Sequence, residues 1–269
     1  MGLRLHAVAP ARGWAWVLQG LRLFTRRPGA FTGLFLFFLI GMLLAMTLPW
    51  IGGLAGAALW PMLTLGFMIA SRSALAGGPV LPTQLIEGLR GPDRRRAVTQ
   101  AVLCLTHALV VVAVFEAAHA FDDGAWVKLQ NGLARGDTGA KMEALWADPL
   151  LAPGMLLRMG LGTLASVPFW FAPALVFWGG QSLGQALFSS VLALWRAKGA
   201  FVVFSVAWAA LACLFGAGLA MLALLFSSRQ LGVALALPMA LALSVVFYVS
   251  LWFGYADAFG DDADPPVTA

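Results

Sequence analysis

Charge is what this sequence has least of. Only 11% of its residues are Asp, Glu, Lys or Arg, against about 25% in a typical soluble domain. Hydrophobic residues make up 61%, and the mean hydropathy is +0.87. A soluble core cannot absorb that much apolar surface, whereas a bilayer can. Cysteine is almost missing as well. Cys104 and Cys213 both fall inside apolar stretches with no CxxC spacing, which leaves no disulfide framework and makes redox chemistry an unpromising reading. Neither a Walker motif nor GxSxG, HExxH or GxGxxG occurs, which argues against an ATPase, a serine hydrolase or a zinc protease as the chain's own activity.

What is present is apolar and long. Six stretches run roughly Ala30 to Pro49, Ile51 to Ala70, Ala97 to Ala120, Met155 to Gly179, Gly199 to Phe226 and Leu231 to Gly254. A helix rising about 1.5 Å per residue needs about 20 residues to cross a hydrocarbon core about 30 Å thick, and each stretch is long enough. The fold class expected is therefore an all-α membrane protein with six transmembrane helices. Residues 1–256 read as one six-span domain, and residues 257–269 as an acidic, disordered tail. The first stretch is too long and begins too late to be a signal peptide, so it is expected to stay as a span.

The net charge of +5 follows the membrane and gives no reason to invoke nucleic acid. Arg4, Arg12, Arg22, Arg26 and Arg27 precede the first span, Arg72, Arg90, Arg94, Arg95 and Arg96 cluster in the second connection, and Arg196 with Lys198 lies in the fourth. Lys128, Arg135, Lys141, Arg158 and Arg229 lie on or near the opposite side. This twelve-to-five split predicts cytoplasmic termini by the positive-inside rule. The longest connection, Phe121 to Gly154, then faces outward and alone on that side has the length to carry structure.

Two amphipathic segments are expected in the cytoplasmic interface. In Pro10 to Arg27, Trp14, Val17, Leu18, Leu21 and Phe24 share one helical arc, while Arg12, Gln19, Arg22 and Arg26 share the other. The second segment, Gln185 to Lys198, precedes the fifth span. Arg12, Trp14, Arg22, Arg26, Arg196 and Lys198 are the residues expected at lipid head groups, with anionic phospholipid as the partner. At an offset of 170, Phe24 to Phe31 also aligns with Leu194 to Phe201. The alignment reads either as a parallel internal repeat or as two independent anchors.

Few residues are suited to chemistry. Glu116 and Arg158 are the charges clearly inside spans, at similar depth near the outer interface. Their readings are an ion pair, separate snorkelling to water, or a proton or substrate site. His107 and His119 lie about 18 Å apart along one helix and cannot share a metal. His119 follows Glu116 by one turn, but no second pair completes a metal site. No catalytic, cofactor or metal residues are therefore assigned. In the fourth span, Pro168 and Pro173 each remove a helix hydrogen bond, which predicts a kink or a lined cavity. Gly52-xxx-Gly56 and Gly216-xxx-Ala220 suit close helix packing or a homo-oligomer.

Three segments carry a resemblance: Arg12 to Pro28; the block Phe169-Trp170-Phe171-Ala172-Pro173-Ala174-Leu175-Val176-Phe177-Trp178 with Gln185-Ala186-Leu187-Phe188-Ser189-Ser190; and the ending Phe253-Gly254-Tyr255-Ala256-Asp257-Ala258-Phe259. Together they resemble an uncharacterised family of bacterial inner-membrane proteins, and more remotely the six-span membrane domain fused to some glycerophosphodiester phosphodiesterases. The resemblance implies fold and location. It implies no catalysis, since the phosphodiesterase domain is not in this chain. The expected function is a non-catalytic scaffold, assembly factor or accessory subunit that recruits a membrane-protein partner. The alternative is a transporter or channel for a small apolar or lipid-like molecule passing along the kinked fourth span.

Overall fold

Twelve helices follow from the apolar runs and their breakers in a computed structural model that describes residues 5–90, 93–225 and 229–260. They are α1 (Arg12–Arg26), α2 (Pro28–Met46), α3 (Gly52–Leu75), α4 (Glu87–Arg90), α5 (Arg94–Phe121), α6 (Ala125–Arg135), α7 (Ala140–Trp146), α8 (Leu151–Ser166), α9 (Ala172–Phe177), α10 (Leu183–Arg196), α11 (Lys198–Leu225) and α12 (Arg229–Phe259). Six segments are long and apolar enough to cross a bilayer: Pro28–Met46, Gly52–Leu75, Arg94–Phe121, Leu151–Phe177, Lys198–Leu222 and Ala234–Phe259. The all-helical, six-span class expected from sequence is the class observed. In hydrocarbon every backbone polar group must be satisfied within the protein, and helices do this within each segment.

An even number of spans brings both chain ends to one side, here called the terminal face. There the His6 amide donates to Ala258 O at 3.1 Å, and α1 lies against α11 and α12. The opposite, loop face holds the α2–α3 turn and the connection from α5 to α8. That connection is folded: α6 and α7 form a small apolar cluster in which Ala125, Leu129 and Leu151 are buried, with Trp126, Met142 and Leu145 packed around them.

The helix expected over Pro10 to Arg27 is present, and one face of it packs on the protein, where the sequence alone points only to lipid. Gly13, Trp16, Val17, Gly20 and Leu23 turn inward, while Trp14 and Leu21 are exposed. The glycines explain that packing. A Cβ at Gly13 would stand 2.0 Å from Ala200 O, and one at Gly20 would stand 2.7 Å from Ser250 Cβ. The glycine side of α1 is therefore the side on which backbones meet most closely, and between apolar helices close packing decides the interface. Trp16 fills the space alongside, with its ring 5.2 Å from Phe201 and 5.9 Å from Phe204.

The packing of the two short helices does not repeat. α1 packs on α11 and α12, whereas α10 packs on α9 and on the 3-10 turn at Val167–Phe169. The expected boundary at residue 256 also shifts, because α12 continues to Phe259 and Asp257 is held within the fold. The rest of the expected tail, 261–269, lies outside the described residues.

Candidate functional site

Two prolines, in different spans, set up the middle of the molecule. Pro61 inside α3 has no N–H, so the carbonyl of Ala57 one turn earlier loses its helical donor. His107, at the centre of α5, supplies the replacement: its Nδ1 lies 2.9 Å from Ala57 O and donates to it. The His107 ring then meets Phe169 edge-on with centroids 4.9 Å apart. Phe169 belongs to the break in the fourth span, where α8 stops at Ser166, a 3-10 turn carries Pro168, and α9 restarts with Pro173 in its first turn. At the expected kink the α-helix thus gives way to a 3-10 turn at Val167–Phe169 and resumes at Ala172.

The groups freed by that interruption are met by α10. Ser190 Oγ accepts from the Phe171 amide at 3.2 Å and donates to Val167 O at 3.4 Å. Trp170 Nε1 donates to Ser166 Oγ at 3.2 Å. Ser190 is fully buried and would otherwise be an unsatisfied hydroxyl in an apolar core.

Beside the break is a cavity of about 370 Å³ at the depth of His107. Its walls come from α3 (Trp60, Pro61, Thr64), α5 (His107, Val111), the α8 end and break (Gly162, Thr163, Ser166, Phe169, Trp170) and α12 (Phe247, Tyr248, Leu251). No charged residue is among them. Thr64 and Thr163 return their hydroxyls to the carbonyls of Trp60 and Met159 in their own helices. α3 packs on α5 and α12, and α8 packs on α5. Among the described residues α8 and α12 share no extensive contact, so the cavity is least closed between them.

The expected pairing of Glu116 with Arg158 does not occur. Arg158 Nη1 donates to Asp122 Oδ2 at 2.5 Å, and both side chains are buried, while Glu116 is exposed on the surface of α5. The long arginine reaches toward the loop face, where Asp122 also accepts from the amides of Gly124 at 3.1 Å and Trp126 at 3.3 Å and so starts α6. A Cβ at Gly154 would stand 2.6 Å from Asp122 Cβ, so the absence of a side chain there admits the carboxylate. The hydrogen bond from Arg158, more than the amides, holds the Asp122 carboxyl below its ordinary pKa against the opposing effect of burial. Sequence reasoning missed Asp122 because it lies one residue beyond the span, outside a search for charges within the hydrocarbon.

The residues expected at lipid head groups divide. Arg12 is turned to the protein: Nε and Nη2 reach the two oxygens of Asp257 at 2.7 and 2.8 Å, and Trp16 Nε1 donates to the same carboxylate at 2.6 Å. Trp14, Arg22, Arg26, Arg196 and Lys198 are exposed on the terminal face, with Lys198 Nζ 5.2 Å from the centre of the Trp195 ring. Other arginines there bind the protein as well. Arg27 donates to Gly78 O, Arg96 donates to Phe177 O at 3.0 Å, and the Arg72 guanidinium lies 5.6 Å from the Trp178 ring centre. Among the described residues no group of three or more His, Cys, Asp or Glu is placed to hold a metal ion.

These features define a helical membrane protein with an uncharged cavity at mid-depth. The chain is 36% identical over 266 residues to a protein of Burkholderia thailandensis named a probable inner membrane protein, with 96% of this chain and 94% of that one covered. It belongs to the family of that protein. No family model matches the chain, and no solved structure matches it. The remoter likeness to phosphodiesterase membrane domains gains no support from these comparisons.

Proposed function

We propose that this chain is an inner-membrane protein that binds a small, largely apolar or lipid-like molecule in the cavity beside the broken fourth span and lets it pass between the membrane and the protein interior. The observation that carries the proposal is the cavity itself, about 370 Å³ at mid-depth and lined by aromatics and hydroxyls without charge. Ligand sites of this size and character are mostly apolar with a few placed polar groups. An ion or a charged head group would find no counter-charge among these walls. A scaffold needs no polar groups at mid-depth, whereas His107, Tyr248, Thr64 and Ser166 come together there at one cavity. The proposed role is binding and passage without catalysis.

The relative's name supports an inner-membrane location, and the arginine distribution supports cytoplasmic termini. The exposed Trp14, Arg22, Arg26, Arg196 and Lys198 then face anionic head groups. Exposed Leu214, Met221 and Leu237 on the α11–α12 hairpin favour a second reading, in which a protein partner or another copy packs there. Purification in nanodiscs followed by mass spectrometry of retained molecules and proteins tests both. Gly162 lines the cavity, and a Cβ there meets nothing within 4 Å, so Gly162→Phe is expected to fill the space without unfolding the protein. Loss of a retained small molecule in Gly162→Phe supports the cavity reading. A stoichiometric protein partner with no retained molecule in wild type points to the scaffold.

A further inference from the structure

Three hydrogen-bonding groups in the cavity wall, on His107, Tyr248 and Trp60, make no hydrogen bond among the described residues, and they specify more than an apolar occupant. Ala57 O can only accept, so the His107 Nδ1 bonded to it carries the proton. In the neutral ring this leaves a bare lone pair on Nε2, which makes no hydrogen bond among the described residues. The Tyr248 hydroxyl is in the same position. Its ring is packed 5.6 Å from Phe67, 5.5 Å from Phe247 and 6.4 Å from Trp60, but its O–H has no partner among the described residues. The hydroxyls of Thr64, Thr163 and Ser166 are already engaged, since all three donate to backbone carbonyls, and Trp170 Nε1 donates to Ser166, which leaves the Trp60 indole N–H as a further donor. An acceptor at His107, a donor-acceptor at Tyr248 and a donor at Trp60, set among Phe169, Trp170 and Phe247, suit an occupant with an uncharged group that both donates and accepts.

We infer, resting on the reading of the cavity as a binding site, that its ligand is an uncharged amphiphile carrying a hydroxyl group, which donates to His107 Nε2 and has Tyr248 as its second hydrogen-bond partner. At about 30 Å³ per water-sized group, the cavity takes a ligand portion on the order of a dozen heavy atoms. Carboxylates and phosphate esters are disfavoured, because no charged residue lines the cavity and a neutral His107 offers no cation. The hydrocarbon part of the ligand lies toward the poorly closed side between α8 and α12, and the hydroxyl end lies toward α5. This assigns a selecting role to His107 and a use to the proline-freed carbonyl of Ala57, which fixes which imidazole nitrogen keeps the proton in the neutral ring.

The test uses the full chain in nanodiscs and two photoreactive probes, a diazirine-bearing decan-1-ol and the same diazirine-bearing chain without the hydroxyl. Labelled peptides are mapped by mass spectrometry, with unlabelled decan-1-ol as competitor. The alcohol is expected to label α5, the α8 end and α12 saturably, about fivefold more than the hydrocarbon, the difference one hydrogen bond makes. His107→Phe and Tyr248→Phe are each expected to bring the ratio toward one while labelling of the cavity persists. Tyr248→Phe keeps the ring packing, so it tests the inference even where His107→Phe disturbs α3. Equal saturable labelling by both probes in wild type overturns the inference and leaves the cavity reading standing. Absence of saturable labelling by either probe overturns both. Wild-type ratios in both variants overturn the assignment of these two residues.

Discussion

Arg158 Nη1 donates to Asp122 Oδ2 at 2.5 Å, and this contact, rather than one with Glu116, ties the fourth span to the start of α6. Asp122→Ala leaves a buried guanidinium whose Nε already lacks a partner, and is expected to cost about 3–5 kcal/mol. Glu116→Gln, at an exposed position, is expected to change stability by less than about 0.5 kcal/mol. Thermal melts in detergent and a double-mutant cycle of Asp122→Asn with Arg158→Gln give the coupling. Additive effects would count against the pair. The pH dependence follows from the same contact. Because the folded Asp122 carboxyl is held below its ordinary value, its contribution is complete above about pH 4 and fades as the pH falls through the lower folded value. Asp122→Asn is expected to remove that part of the acid dependence.

Ser190 is expected to matter more to the fourth span than its size suggests. Ser190→Ala leaves the Phe171 amide and Val167 carbonyl without their side-chain partner in an apolar surrounding, a loss of about 1–3 kcal/mol. Ser190→Thr keeps the hydroxyl and is the control for its chemistry. A melting temperature unchanged in Ser190→Ala would show that the break is satisfied by other means.

Gly13→Ala is expected to loosen α1 from α11, since its Cβ would meet the Ala200 carbonyl at 2.0 Å and helix backbones have to separate to admit it. Gly33→Ala in α2, where a Cβ meets nothing within 4 Å, is expected to be tolerated. Limited proteolysis of the α1–α2 junction reads the difference. Equal resistance in the two variants would mean that α1 does not dock through its glycine face.

Arg12→Gln is expected to destabilise the junction of the chain ends by about 1 kcal/mol. The side chain is 36% exposed and its attraction to Asp257 is screened accordingly. The loss should shrink as salt is raised. If the effect is as large at high salt as at low, packing of the Arg12 stem carries it instead of charge.

Orientation is open to labelling. In a variant with Cys104 and Cys213 replaced, a cysteine at Thr138 is expected to react with an impermeant reagent in intact cells, and one at Arg95 only after permeabilisation. Both positions are exposed, so access to the reagent decides the outcome. The reverse pattern would place the termini outside.

The sequence by itself determined the number of spans and the helical class, because these depend on local quantities. Apolar length decides whether a segment crosses, and Pro28 and Pro168 mark where a helix begins or breaks. Only tertiary structure decided which partners these elements take. Periodicity identified α1 as amphipathic and put Trp14 and Leu21 on one arc, but only the close approach permitted by Gly13 and Gly20 decided that Trp16 and Leu23 turn inward onto the protein. Depth matching suggested Glu116 for Arg158, but a long flexible side chain spans more than one turn and finds the carboxylate already fixed by two amides at α6. The cavity was least legible of all. It depends on a carbonyl freed by Pro61 in one span, a histidine in a second and a break in a third, residues far apart in sequence that meet only when the bundle closes.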